Sequence, residues 1–143
     1  MDKEYIAEWF RFADMDLESA EYLLGKRPQP LEIICYHCQQ SAEKNLKGYL
    51  IYKGVTEPPK IHNLDVLLEM CSEYDELFVE NKRACGALTR YGIQPRYPNE
   101  ILVTENDMLK ALEYARQIRD FEQIAKIRRE VGNKTTTEEP TTH

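Results

Sequence analysis

Residues 35 to 50 read CYHCQQSAEKNLKGYL, and this stretch decides which kind of fold the chain can adopt. Advancing about 100° per residue places the apolar side chains of 31–52 on one arc of a helix. The members of that arc are Leu31, Ile34, Cys38, Ala42, Leu46 and Tyr49, with Cys35 at its side. Asn45 falls inside the same arc, so its amide must find partners within a bundle or at a subunit interface. The stretch therefore predicts an amphipathic helix packed into a helical core.

The polar side chains of this helix form a second arc. It contains His37, Gln40, Lys44 and Lys47, at intervals of three, four and three residues. Glu43 precedes Lys47 by four residues, the spacing of a favourable ion pair on a helix. The arc is either an exposed charged face or a surface that holds a phosphate or a partner.

Helical periodicity continues on both sides of this stretch. Apolar residues at steps of three and four predict a first helix from about residue 6 to residue 24, ended by Gly25 and nearby prolines. Asn63 is placed to cap a short third helix, and a fourth is predicted from about residue 74 to residue 91. Thr104 and Asp107 have the spacing of a capping box that opens a last long helix through Ala125.

These elements predict an all-α protein, an up-and-down helical bundle of four long helices plus one short helix, over residues 1–130. Residues 131–143 are polar, rich in threonine and without periodicity, and a disordered tail is predicted there. A length of 143 residues fits one domain with a hydrophobic core of its own.

The charge balance and the termini limit the class of protein further. The net charge of −6 argues against a generally basic nucleic-acid binder, so any contact with RNA has to be local. No apolar run approaches the roughly 18 residues that a membrane span needs. The N-terminus is charged from its second residue, and reduced thiols are the simplest account of the four cysteines. A cytoplasmic protein without membrane contact is expected.

Two cysteines beside a histidine also raise the alternatives of a metal site and of a cysteine nucleophile. His37 and Cys38 project about 100° apart on a helix, which disfavours both a shared metal and a nucleophile–base pair. Cys71 and Cys85 are 14 residues apart, without the paired CxxC of a zinc site. Buried thiols are the better account, and neither a metal nor a cofactor is predicted.

Four stretches together resemble a known family. They are DMDLESAEYLL at 14–24, YHCQQSAEKNLKGYLI at 36–51, KIHNLDVLLEMC at 60–71 and TRYGIQPRYP at 89–98. In order and spacing they are similar to the HEPN domain, the nucleotide-binding domain named from higher eukaryotes and prokaryotes, over roughly residues 3 to 125. The resemblance implies a bundle of four or five helices, commonly a homodimer, often encoded beside a minimal nucleotidyltransferase and often a toxin of such a two-gene system.

The chain departs from the ribonucleases of that family at their catalytic motif. Those enzymes carry an arginine followed, after four to six residues, by a histidine, in which arginine stabilises charge and histidine moves a proton. The histidines of this chain are His37, His62 and His143, and none follows an arginine at that interval. The resemblance therefore implies binding, and catalysis is not expected.

The candidate site follows from the family's motifs, carried over residue by residue. The QQ-A-EK pattern corresponds to Gln39, Gln40, Ala42, Glu43 and Lys44, followed by Lys47, the H-x-L element to His62 and Leu64, and the loop ending to Arg96, Tyr97 and Pro98. The candidate phosphate- or nucleotide-binding residues are Gln40, Lys44, Lys47, His62, Arg90, Arg96 and Tyr97. Lys44, Lys47, Arg90 and Arg96 would meet if the second helix and the loop before the last helix face one groove. Alternatively, Arg96 and Tyr97 anchor that loop, and His62 caps the third helix or bonds to the second.

Three functions are compatible with these residues. The leading hypothesis is a non-catalytic, homodimeric HEPN protein that binds a nucleotide or a nucleic-acid phosphate and pairs with a minimal nucleotidyltransferase in a toxin–antitoxin-like system. The first alternative is a divergent ribonuclease toxin that uses His62 with Arg90 or Arg96. The second is a structural subunit that completes a partner's site without a ligand of its own.

Overall fold

The protein is all-helical in the computed structural model, which describes residues 1–92 and 102–138. The α-helices of these ranges are α1 (Lys3–Leu23), α2 (Leu31–Tyr52), α3 (Leu64–Ser72), α4 (Lys82–Leu88), α5 (Glu105–Asp120) and α6 (Glu122–Glu138). Two 3₁₀ turns, Glu76–Asn81 and Thr89–Tyr91, flank α4. The predicted class, an all-α helical bundle, is confirmed.

The helix starts lie where the capping residues predict them. Asn63 accepts hydrogen bonds from the backbone N–H groups of Asp65 at 2.8 Å and Val66 at 3.3 Å, which caps α3. Thr104 and Asp107 bond to each other's backbone N–H groups at 3.0 and 3.1 Å and form the predicted capping box of α5.

The predicted fourth helix is not one α-helix. The segment before α4 is a 3₁₀ turn, capped by Asp75, whose side chain accepts a bond from the N–H of Leu77 at 3.0 Å. Residues three apart eclipse in a 3₁₀ turn, so Phe78 and Asn81 both point into the core, while Leu77 is exposed. A continuous α-helical period over 74–91, with Leu77 in step with Asn81 and Ala84, would have buried Leu77, whereas tertiary packing buries Phe78.

The predicted last helix is divided at Phe121. This residue has an extended ψ of 128°, and its ring lies 4.9 Å from that of Phe78, centroid to centroid. The break directs α6 back onto α1 and α2, where Ile124, Ile127 and Val131 are buried. α6 runs to Glu138 and so enters the segment predicted as a tail; the disorder of that tail stays a prediction, and residues 139–143 lie outside the described ranges.

α2 is the centre of the bundle, in contact with α1, α3, α5 and α6. Its closest neighbour is α1: a Cβ added at Gly48 would lie 2.8 Å from Cε1 of Phe10, so the two helices touch at a glycine. Asn45 is fully buried and accepts a bond from Arg128 at 3.1 Å, and Arg128 also donates to both carboxylate oxygens of Asp14. The carbonyl oxygen of Asn45 thus has a partner inside the bundle, whereas no described residue bonds to its Nδ2.

The four cysteines are free and buried, as predicted. Burial raises the pKa of Cys35 and of Cys85 to about 12, and it raises the pKa of Cys38 and Cys71 further. Thiols in this state are poor nucleophiles and poor metal ligands. Within the described part of the chain, no helix is long and apolar enough to cross a membrane.

Candidate functional site

A buried carboxylate on α2 organises part of the predicted site. Glu43, 5% exposed, accepts a bond from Lys47 Nζ at 2.9 Å, lies 3.0 Å from His62 Nδ1, and accepts a third bond from Gln39 Nε2 at 3.2 Å. Gln39 also donates to the backbone carbonyl of His62, and Gln40 donates to Gln39 Oε1 at 2.7 Å. These five residues, called the Glu43 cluster below, tie the turn before α3 to the middle of α2.

The electrostatics of the cluster keep Glu43 charged. Burial raises the pKa of this carboxyl, but the bonds from Lys47, His62 and Gln39 together outweigh it and hold the pKa below its usual value. An ionised carboxylate only accepts hydrogen bonds, so Nδ1 of His62 carries the proton that points to Glu43. The cluster orients the imidazole, and the His62 side chain is still 71% exposed.

A groove of about 600 Å³ opens beside this cluster. It is lined by Tyr5, Trp9, Lys47, Thr56, Glu57, Pro58, Pro59, Lys60 and His62, and is called the Trp9 groove below. The rings of Tyr5 and Trp9 meet edge to face, with centroids 6.5 Å apart. Lys60 makes no ion pair or hydrogen bond with the residues that the structure describes. The groove therefore combines an aromatic wall with an uncommitted ammonium and an oriented imidazole.

Lys44 lies in a different place from Lys47. Its ammonium bonds to Asp16 of α1, and Nδ1 of His37 lies 3.3 Å from the other oxygen of the same carboxylate. His37 lines a separate groove of about 540 Å³ with Met15, Ser19 and other residues of α1. The arc for which an exposed charged face and a phosphate or partner surface were the two interpretations is largely packed: Lys47 is buried, and Lys44 is half-buried against α1.

Arg90 lies in a third place, between α4 and α5. Its guanidinium donates to the hydroxyl of Tyr91 at 2.6 Å and lies 3.6 Å from Asp107. A cavity of about 330 Å³ at this position is lined by Arg90, Tyr91, Asp107 and Lys110, among other residues. The Tyr91 hydroxyl holds the guanidinium and raises the Arg90 pKa, so the group stays charged.

The predicted site residues are therefore not brought together in one groove. Lys47 and His62 share the Trp9 groove, Gln40 belongs to the Glu43 cluster, and Lys44 and Arg90 lie elsewhere. Arg96 and Tyr97 lie outside the described residues. The alternative interpretation of His62, a hydrogen bond to the second helix, agrees with its contact to Glu43.

Sequence reasoning missed the aromatic wall and the acidic partners. Tyr5 and Trp9 belong to the first helix, four residues apart, and this spacing places both on one face. Asp16 lies inside the recognised stretch 14–24 and was not weighed as a partner for a lysine. Asp107 was recognised only as a capping residue. The described residues contain no group of three or more Cys, His, Asp or Glu side chains that could hold a metal ion.

The fold and these clusters define a helical-bundle protein whose central helix carries a buried ionic network beside an open groove. The sequence model of the HEPN domain matches residues 6–125, so the chain belongs to the HEPN domain family. Among solved structures, the chain is similar to the crystal structure of TT1696 from Thermus thermophilus. The TM-score is 0.71 at 24% identity, over 85% of this chain and 97% of that chain, which shows a shared fold. No curated protein matches the sequence.

Proposed function

We propose that this HEPN protein binds a nucleotide, or a nucleotide unit of a nucleic acid, in the Trp9 groove and does not cleave it. The observation that carries the proposal is the placement of Tyr5 and Trp9 in the same groove as Lys60 and the oriented His62. A base has a flat face that stacks on an aromatic side chain, and its phosphate seeks cations. The groove offers both kinds of group within one opening.

The roles of the residues follow from their surroundings. Lys60 is free to pair with a phosphate, whereas the ammonium of Lys47 is already held by Glu43 and adds only partial positive potential. His62, with Nδ1 bonded to Glu43, presents Nε2 without a partner among the described residues. Nε2 is therefore the ring atom that can face a phosphate in the groove.

The same proposal covers the assembly of the protein. By its family we expect a homodimer in the cytoplasm that pairs with a minimal nucleotidyltransferase in a toxin–antitoxin-like two-gene system. The proposal of binding without catalysis rests on the sequence, in which no arginine is followed after four to six residues by a histidine. Co-expression with a nucleotidyltransferase encoded next to this chain tests the pairing, because a protein that elutes without it contradicts this part of the proposal.

Trp9 makes the binding test direct, because it is the chain's only tryptophan. Titration with ATP, GTP and a short single-stranded RNA is expected to quench its fluorescence and raise the melting temperature. Lys60→Ala with His62→Ala is expected to weaken binding at least tenfold, about 1.4 kcal/mol. Lys110→Ala, in the Arg90 cavity, is the matched control and should leave the affinity unchanged. Absence of both quenching and thermal shift with every ligand would contradict the proposal.

A second candidate function, RNA cleavage, is favoured by one observation, the orientation of His62 by Glu43. Such a carboxylate-held imidazole suits proton transfer. Of the two guanidiniums suggested as its partner, Arg90 is engaged with Tyr91 and Asp107 in a separate cavity, and Arg96 lies outside the described residues. Incubation of RNA with the wild type and with His62→Ala decides between the functions: cleavage lost in the variant supports the ribonuclease, and an intact substrate with both proteins supports binding alone.

A further inference from the structure

The acidic charge of the chain is concentrated in one segment. The sequence has 25 acidic and 19 basic residues, and residues 64–81 contain six of the acidic and none of the basic ones. The other residues are therefore balanced, with 19 of each sign, and this segment alone accounts for the net charge of −6. Its acidic residues are Asp65, Glu69, Glu73, Asp75, Glu76 and Glu80.

These carboxylates have no cationic partner among the residues that the structure describes. Some acidic residues elsewhere in the bundle do have cationic partners, as Asp14 has in Arg128 and Glu21 has in Arg116. Unpaired like charges on one surface repel each other and lower the stability of the folded state. A cationic partner would relieve that repulsion.

An apolar groove of about 440 Å³ lies within this acidic surface. It is lined by Asp65, Leu68, Glu69, Ser72, Glu76, Val79 and Lys82, and is called the α3 groove below. Leu68, which is 5% exposed, and Val79, which is 58% exposed, supply its apolar lining. Val66 and Leu77 of the same segment are exposed as well. The charged rim carries three carboxylates and one ammonium, so its sign is negative.

We infer that the α3 groove docks a positively charged amphipathic helix of a partner protein. Apolar residues at i, i+3, i+4 and i+7 of such a helix fill an apolar groove, and its lysines or arginines meet the carboxylates of the rim. A membrane surface is excluded as the occupant, since anionic headgroups are repelled by a negative rim. A nucleic acid is excluded for the same reason.

A second copy of this chain is a poorer match than a different protein. The most basic stretch of the last helices contains Lys126, Arg128 and Arg129, but Arg128 is bonded to Asp14 and Arg129 to Glu122. These two arginines would have to break their own ion pairs to reach the rim of another copy, which leaves Lys126 as the cation of this stretch without an ion pair to a described residue. The α3 groove shares no lining residue with the Trp9 groove, so the inference does not depend on nucleotide binding.

The test uses a synthetic helical peptide of about 18 residues, five turns, with leucines at the i, i+3, i+4, i+7 positions, lysines elsewhere and a fluorescein label. Fluorescence anisotropy with the full chain is expected to show saturable binding that weakens as the salt concentration rises. A scrambled peptide of the same composition should bind at least tenfold more weakly. Equal binding of the two peptides, or no binding of either, would overturn the inference.

Variants of the protein locate the binding. Glu69→Lys combined with Glu76→Lys should raise the Kd at least tenfold, and Val79→Ser should raise it severalfold. Glu18→Lys combined with Glu113→Lys changes the net charge equally at exposed positions outside the groove and should leave the Kd within twofold. All these positions are exposed, so unchanged thermal melting is expected. Equal weakening by both charge reversals would refute docking at the groove.

Sedimentation of the protein without peptide tests whether a second copy of this chain occupies the α3 groove. If the wild type self-associates and Val79→Ser abolishes that association, a second copy fills the groove and the inference is wrong. If Val79→Ser leaves the oligomeric state unchanged while it weakens binding of the peptide, the groove binds a different protein, as inferred.

Discussion

Replacement of Glu43 by glutamine tests the account of the buried network. The substitution keeps the shape of the side chain and one oxygen acceptor, but it removes the charge that faces Lys47 at 2.9 Å. Lys47 is 5% exposed, so its ammonium would be left in the core without a counter-charge. Removal of one member of a buried ion pair costs about 3–5 kcal/mol, and the retained oxygen, which can still accept the bond from Gln39, places the expectation near 3 kcal/mol.

This loss is measurable as a shift in thermal or urea unfolding. A change of about 3 kcal/mol corresponds to a fall of roughly 6–12 °C in melting temperature for a domain of this size. Glu113→Gln, an exposed carboxylate on α5, is the control and should change stability by less than about 0.5 kcal/mol. Adding Lys47→Met to Glu43→Gln should restore part of the loss, because no buried charge then remains unpaired. A loss below about 1 kcal/mol for Glu43→Gln would refute the reasoning, since it would mean that the ammonium reaches water.

The stability of the protein in acid should depend on the same carboxyl. Folding lowers the pKa of Glu43 below 4.5, so the stabilisation from its ionised form is complete above that pH. This stabilisation is lost as the pH falls through the pKa that Glu43 has in the folded protein. Urea unfolding at several pH values between about 3 and 7 should show a shallower acid loss in Glu43→Gln than in the wild type. Gly48→Ala should lower the free energy of unfolding by about 1–3 kcal/mol, since the new Cβ would meet the buried Phe10 ring at 2.8 Å. In the same assay Gly86→Ala, where the nearest atom is 3.9 Å away, should be neutral or up to about 1 kcal/mol more stable. The four cysteines should resist a thiol reagent at about pH 8 until the protein is unfolded by urea, because burial raises their pKa values, and rapid labelling of the native protein would contradict this.

Much of the secondary structure could be predicted because it is encoded locally. The limits of α2 follow from the apolar period between Pro30 and Gly54, and the start of α3 follows from one asparagine. The two misplaced elements are those in which a distant contact overrides the local period: the 3₁₀ turn that buries Phe78 and the break at Phe121, whose rings meet. Neither contact can be read from the residues beside it.

The candidate site likewise has features that depend on neighbouring residues of the sequence and features that depend on distant contacts. The motif residues of α2 were identified from the sequence, and the pairing of Glu43 with Lys47 was predicted from their spacing. The groove predicted to unite Lys44, Lys47, Arg90 and Arg96 is not seen among the described residues, because Asp16 holds Lys44 and Asp107 lies beside Arg90 in other places. Arg96 lies outside the described residues. An ion pair between helices depends on how those helices are rotated against each other, which the helical period does not specify.

The sequence by itself determined the helical class, the central amphipathic helix, the caps that start α3 and α5, and membership of the HEPN family, since each depends on residues close together in the chain or on their order. Only the tertiary structure decided which cationic side chains are held in ion pairs within the described residues and which are available to a ligand. Lys47 is buried because the turn before α3 folds against α2 and seats His62 on Glu43, while Lys60 of the same turn remains uncommitted within the described residues. The availability of a charge depends on the other segments that pack around it.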